Sequence, residues 1–260
     1  MNILLTGSDG FIGRHLNKFL NEQGHKVICI DKESGNDLLS CDLKYSVDLV
    51  IHLAGLSGVR DSLGRPTEYW EQNVIAGQRL FQYFKDTRIL YASSSTAHEP
   101  WKNPYAMSKY SLEQIAPPNS VGMRFTTVYG PNARESMLIP RILRNDVPYI
   151  NTNHSRDFIH VDDLVRAIDS LIKSNVKGIT DIGSGTTNNL IELIEYFGID
   201  CERVVGEHTE RLDNLADNTL LNSIGWEPKI NLYEYIKENR NDNWRIFKRS
   251  FFNCVLHRPR

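Results

Sequence analysis

The sequence predicts an α/β fold built on a doubly wound parallel sheet, and three observations predict it. Short apolar runs alternate with stretches of helical periodicity through the first half of the chain. A glycine-rich turn separates the first run from the first helical stretch. The apolar runs are continuous rather than alternating, as in strands covered by helices on both faces. Right-handed crossovers then leave few topologies, the doubly wound one foremost.

The elements follow in order. Asn2–Thr6 reads as a buried strand. A helix runs from Phe11 to Gln23, with Phe11, Ile12, His15, Leu16, Phe19 and Leu20 at helical spacing and Gly24 as its stop. Lys26–Ile30, Asp48–Ala54 and Arg88–Ala92 are further strands, and Thr67–Phe84 reads as one helix. Pro104–Ala116 is helical, opened by Pro104 and stopped by Pro117-Pro118. Val121–Val128 reads as a single strand. After Gly130-Pro131 the pattern loosens. A short helix, Ser136–Arg144, precedes the segment Asp157–Val161. Asp162–Lys173 is a strong helix, with Asp162-Asp163 as cap and first-turn acid. Gly178–Ile182 is a strand, Asn189–Phe197 a helix, and Gly225-Trp226-Glu227-Pro228 a turn.

The chain has 260 residues, enough for one large domain with a satellite lobe. We expect a dinucleotide-binding Rossmann unit over 1–130, with 157–183 returning to it. A small interleaved C-terminal lobe for the substrate takes 131–156 and 184–240. Residues 241–260 form a basic, aromatic tail, expected to pack its aromatics on the body and then fray. A net charge of −2 gives no electrostatic case for nucleic acid or an anionic membrane as partner. No apolar run is long enough to span a membrane, and Met1–Thr6 lacks the basic leader of a signal peptide. Cys29, Cys41, Cys201 and Cys254 are scattered without metal-ligand spacing, so we expect reduced thiols, no metal and a cytoplasmic setting.

The turn Thr6-Gly7-Ser8-Asp9-Gly10-Phe11-Ile12-Gly13 carries the first chemistry. Gly7 permits the tight turn, Gly10 a close approach of backbone to pyrophosphate, and Gly13 close packing of helix on strand. The helix N-terminus then aims free N–H groups at the phosphates. Asp31, at the end of the second strand, is placed for the adenosine ribose hydroxyls and would repel a 2′-phosphate. The cofactor expected is therefore NAD. Asp42-Leu43 is a candidate for flanking the adenine.

Tyr105 and Lys109 form a Tyr-x-x-x-Lys pair that shares one helix face. A free tyrosine titrates near pH 10, and a neighbouring ammonium favours its phenolate. Tyr105 would take a proton from a hydroxyl while NAD takes hydride from the same carbon. Lys109 would also hold the nicotinamide ribose. Ser93-Ser94-Ser95-Thr96 ends a strand just upstream, where open α/β sheets place ligands. One of these hydroxyls would donate to the reacting oxygen. His52 and His160 read as buried structure. His98 and Glu99 read as solvent-exposed, and Arg60 as a candidate contact for cofactor or substrate phosphates.

Together these segments resemble the extended short-chain dehydrogenases that act on nucleotide sugars, the NAD-dependent epimerase/dehydratase family. The matching marks are TGSDGFIG (6–13), Asp31, HLAG (52–55), Asn73, YASSST (91–96), NPYAMSK (103–109), RFTTVYGPNAR (124–134), RDFIHVDD (156–163) and GWEP (225–228). The resemblance implies a catalytic set of Ser94, Tyr105 and Lys109. It places Phe11, Ile12, Leu53 and Ala54 beside the cofactor with the glycines and Asp31. Thr127 matches a contact to the diphosphate or sugar, Arg156 the arginine that binds the nucleotide's phosphates, and Arg211 a second phosphate or ribose contact. The stretch 58–73 with RFTTVYGPNAR looks most like UDP-glucuronate 4-epimerases. There Ser95, Thr96 and Thr127 would hold the sugar carboxylate, and Arg134 fits a late arginine.

The implied activity is C4 epimerisation of a UDP-sugar through a 4-keto intermediate. A nucleotide-sugar reductase or dehydratase on the same scaffold is the first alternative. Dehydratases of the family place Asp-Glu where this chain has Ser95-Thr96. A non-catalytic NAD-binding regulator is the second alternative, against which the intact Ser94/Tyr105/Lys109 set argues. The chain departs from the family at Ala97-His98-Glu99, where Val-Tyr-Gly is usual, and in a short loop from Ser94 to Tyr105. The family's homodimer is built on the Tyr-Lys helix, which here stops early at Pro117-Pro118.

Overall fold

Successive residues of a strand face opposite sides of a sheet, and that alternation organises this molecule. The computed structural model describes residues 1–240. The first half contains β1 (Asn2–Thr6), α1 (Phe11–Glu22), β2 (Lys26–Ile30), β3 (Leu49–His52), α2 (Val59–Gly64), α3 (Pro66–Trp70), α4 (Ala76–Tyr83), β4 (Arg88–Ser94), α5 (Pro104–Gln114) and β5 (Ser120–Phe125). There follow β6 (Thr127–Tyr129), α6 (Leu138–Arg144), β7 (Tyr149–Asn151), β8 (Ser155–His160), α7 (Val161–Lys173), β9 (Gly178–Ile182), β10 (Thr187–Asn189), α8 (Leu190–Tyr196), β11 (Glu202–Val204), α9 (Thr219–Ser223) and α10 (Leu232–Asn239).

Six strands form one parallel sheet in the order β2-β1-β3-β4-β5-β9. The winding reverses between β1 and β3, so a crevice opens at their C-terminal ends. Ile3, Leu5, Ile51, Leu90 and Met123 point to one face and pack with Leu16 and Leu20 of α1 and Leu164 and Ile168 of α7. Leu4, Val50, Ile89 and Tyr91 point to the other and pack with Leu80 and Phe81 of α4 and Leu112 of α5. Each fully buried aliphatic side chain contributes about 1.5–3 kcal/mol relative to exposure. The doubly wound parallel sheet is therefore as expected.

Beyond β5 the chain builds smaller sheets, β10-β8-β6 and β11-β7. Their core holds Ile139, Ile142, Ile150, Phe158, Leu193 and Ile236. Among the described residues no helix is long and apolar enough to cross a membrane.

Several expectations need correction. Val121–Val128 is two strands, because the chain changes sheets at Thr126. β5 pairs with β4 and β9, whereas β6 pairs with β8. Thr126 N donates to Ile182 O at 3.1 Å at the crossing. Thr67–Phe84 is broken by a π-turn over Glu71–Ile75, which turns Asn73 inward. The cap of α7 is His160, whose Nδ1 accepts from Asp162 N at 3.2 Å. Asp162 and Asp163 do stand in the first turn of α7, as expected, and Asp163 also accepts from Lys229 N and Ile230 N and ties down a distant loop. The short elements α2, β7, β10, β11, α9 and α10 were not legible. The expectation for the basic tail, 241–260, lies outside the described residues.

Candidate active site

The turn after β1 has the shape of a dinucleotide cradle. Gly7 has φ +73°, and a Cβ there would meet Ala54 N at 2.6 Å. A Cβ on Gly13 would overlap the Gly7 carbonyl oxygen, so α1 lies directly on the turn. Gly10 caps α1 with no side-chain acceptor, which leaves the first-turn N–H groups for a ligand. Asp31 accepts from Asp9 N at 2.8 Å and Glu33 N at 3.0 Å, fixing its carboxylate beside the turn. Lys32 turns aside to Asp37 at 3.4 Å. These residues fit a dinucleotide with two free ribose hydroxyls. Asp42 faces solvent and accepts from Lys44 N, and Leu43 is buried in the core under β2. Asp31, Asp42, Leu43 and Ala54 stay off the wall of the cavity described below.

β4 delivers Ser94 and α5 delivers Tyr105 and Lys109 to one place. Asn103 sets the start of α5 by accepting from Ala106 N at 2.8 Å, with Pro104 behind it. Ser94 Oγ accepts from Thr96 N (3.2 Å) and Thr96 Oγ1 (2.9 Å), which leaves its own proton for a partner. Burial raises the Tyr105 pKa, opposed by a hydrogen bond with Ser94 and by the charge of Arg134. The cation that helps the phenolate is thus Arg134. The expectation had given that part to Lys109, whose Nζ instead donates to Ala92 O at 3.0 Å. Burial lowers the Lys109 pKa to about 8, opposed by Glu113.

Two buried anchors hold this set, and sequence reasoning gave neither its role. Asn73 Oδ1 accepts from Leu56 N (2.7 Å), and its Nδ2 donates to Leu56 O (3.0 Å) and Ser108 Oγ (2.9 Å). It thereby joins the loop after β3 to α5, one residue from Lys109. Glu113 accepts from Arg124 Nε (2.8 Å), Arg124 Nη2 (2.6 Å) and Ser93 Oγ (2.5 Å), joining α5 to β4 and β5. The available signals were a polar residue on the inner face of a helix and an acid four residues after Lys109.

His52 is buried, bonded through Nδ1 to Thr6 Oγ1 at 2.8 Å. Burial and the charge of Lys109 push its pKa to about 3, so it is a neutral structural group. His98 is exposed, as expected, and Glu99 is half-buried, but both are held by partners. His98 lies 2.9 Å from Asp181 and accepts from Arg124 Nη1 at 3.1 Å, and Glu99 pairs with Lys102 and Arg211 at 3.4 Å each.

A cavity of about 830 Å³ runs from the glycine turn past this set into the second lobe. Such a volume suits a large cofactor-plus-substrate site. Its wall includes Gly7, Gly10, Phe11, Ile12, Gly13, Leu53, Ser94, Ser95, Thr96, Tyr105, Lys109, Thr127, Arg134, Arg156 and Arg211. Five basic residues (Arg60, Lys109, Arg134, Arg156, Arg211) face two acidic ones (Asp61, Glu210), so the cavity suits an anion. Arg134 donates to Ser57 Oγ at 3.2 Å, and Arg211 to Ser95 O at 2.5 Å. Asn214, absent from the expected set, donates to Thr127 Oγ1 at 3.2 Å.

Known proteins resemble the chain in sequence and in fold. Protein CapI of Staphylococcus aureus is 31% identical over 232 residues, 66% of this chain and 70% of that one. A UDP-glucuronate 4-epimerase of Thermodesulfobacterium geofontis is 27% identical, with 93% of this chain and 95% of that one covered. The solved structure of MoeE5 in complex with UDP-glucuronic acid and NAD superposes with a TM-score of 0.81 at 28% identity, covering 96% of this chain and all of that one. The model of the NAD dependent epimerase/dehydratase family matches residues 3–183, and the chain is an NAD-dependent enzyme of that family.

Proposed function

We propose that this enzyme epimerises C4 of a UDP-sugar, with UDP-glucuronate and UDP-galacturonate as the pair interconverted. The observation that carries the reading is the convergence of Ser94, Tyr105 and Lys109 on a cavity whose wall also holds Arg134, Arg156 and Arg211. Tyr105 Oη takes the proton of the C4 hydroxyl, and Ser94 donates a hydrogen bond to the same oxygen. NAD, when bound on the glycine turn with Asp31 at its ribose, supplies a reversible hydride acceptor for that carbon. Lys109 holds the nicotinamide ribose, and Arg134 is the cation that favours the phenolate. Arg156 and Arg211, with Arg60, hold the diphosphate. Ser95, Thr96 and Thr127 hold the sugar carboxylate, with Arg134 beside them. Residues 1–130 and 157–183 carry the cofactor, and 131–156 and 184–240 close on the sugar.

Ser95 and Thr96 offer no acid–base pair for removing water, which favours epimerisation over dehydration. Proton NMR of the enzyme with UDP-glucuronate, UDP-glucose and UDP-N-acetylglucosamine in turn, with catalytic NAD, tests the reading. The expected result is new anomeric signals of the C4 epimer from UDP-glucuronate without net NADH. No change with any of the three sugars overturns it.

A further inference from the structure

The carboxylate of Glu210 stands inside the basic end of the cavity, and nothing in the chemistry above uses it. Its Oε1 accepts from Arg60 Nε at 3.0 Å. Its Oε2 accepts from Arg156 Nη2 at 3.2 Å and lies 3.5 Å from His154 Nδ1. Its side chain is 14% exposed and that of Arg156 16%, so this pair is largely shielded from water and salt, whereas Arg60 is 56% exposed. The remaining bonds of Arg156 to protein oxygens go to the carbonyls of Ser155, Arg211 and Leu212. Among the described residues, Glu210 is the one carboxylate hydrogen-bonded to it.

The segment that carries Glu210 lies between β11 and α9. Its outer side faces solvent, with Val205 77% and Leu212 54% exposed. Its inner side rests on the catalytic loop: Lys102 Nζ donates to Glu210 O (3.0 Å) and Asn103 Nδ2 to Thr209 O (2.9 Å). A carboxylate shared by two guanidinium groups occupies the same donors that a phosphoryl group would take.

We propose that Glu210 is the resident counter-anion of this cavity, displaced when the diphosphate of a nucleotide-linked substrate takes Arg60 and Arg156; this rests on the nucleotide-sugar reading above. A diphosphate brings more charge and more acceptor oxygens than one carboxylate, so the exchange is favourable. The carboxylate weakens nucleotide binding by the cost of its own displacement, and it returns to the guanidinium groups as the ligand leaves. Glu210 is therefore a residue that sets affinity for the diphosphate, acting through competition for the same cations.

The test is calorimetric titration of the full-length, NAD-loaded enzyme with UDP and with inorganic pyrophosphate. Wild type is compared with Glu210→Gln and with Glu207→Gln. Glu207 is an exposed acid of the same segment that accepts from Thr209 Oγ1 at 3.3 Å. The expected result is binding of both probes about ten-fold tighter by Glu210→Gln, with Glu207→Gln unchanged. Equal or weaker binding by Glu210→Gln overturns the proposal and makes Glu210 a brace for the arginines. An equal gain in Glu207→Gln also overturns it, as an effect of net charge alone. UDP binding that ignores Glu210→Gln keeps the nucleotide-sugar reading and removes the counter-anion. Pyrophosphate bound more tightly by Glu210→Gln, with no UDP binding by any of the three proteins, keeps the counter-anion and removes the uridine nucleotide. No binding of either probe by any of the three proteins overturns both.

Discussion

Lys109 carries a stability cost and a function on one nitrogen. Its Nζ is buried against Ala92 O, and burial lowers its pKa from 10.5 to about 8. Between those values the unfolded chain binds the proton and the folded chain does not, so stability rises with pH across that window. Below pH 8 the buried charge costs the fold on the order of 3 kcal/mol. Lys109→Met is therefore expected to lose turnover yet to resist urea better at pH 7. The gain should fade as pH approaches 10.5, and urea titrations at both ends of the window check the sign. The meeting of Ser94, Tyr105 and Lys109 at one place was legible because Tyr105 and Lys109 are close in sequence and Ser94 ends a strand. The help that Arg134 gives Tyr105 was not legible. Twenty-nine positions separate the two, and only the folded crevice brings them together.

At the scale of elements, the π-turn of Glu71–Ile75 does the positioning. A regular helix there would carry Asn73 past Leu56; the extra residue in the turn aims its amide at Leu56 and Ser108 instead. Gly55 completes the fit, since a Cβ there would meet Asn73 Oδ1 at 2.7 Å and Lys109 Nζ at 3.4 Å. Asn73→Ala leaves the Leu56 N–H and C=O without this partner and should cost about 2–3 kcal/mol. Turnover should fall more than NAD affinity, because the loop after β3 and Lys109 lose their common tie; thermal unfolding and NAD titration of the same sample separate the two effects. Apolar periodicity gave the helix around Asn73 but not the break, because a π-turn keeps the inward stripe intact. The same limit applies to β6. Thr126 is as compatible with a continuing strand as with a crossing, and the choice is made by Ile182 and by β8.

The whole molecule places its chemistry where the winding reverses. β1 ends in the glycine turn and β4 in Ser94, and the second lobe brings Arg156 and Arg211 over the same crevice. The main sheet was legible because its strands are apolar runs of four to seven residues. The strands of the second lobe are mostly three residues long, too short for any period to show. Its contacts Asn214 and Glu210 therefore came only from the structure.

The central claim is that Tyr105 and the bound cofactor work on one C–H and O–H pair of the sugar. UDP-glucuronate deuterated at C4, followed by NMR and mass spectrometry through equilibration, tests it most directly. Deuterium is expected to stay at C4 in both epimers with the wild-type enzyme. Tyr105→Phe should slow the exchange by 10²–10⁴-fold while still binding NAD. Washout of the label into water, or full turnover by Tyr105→Phe, would contradict it.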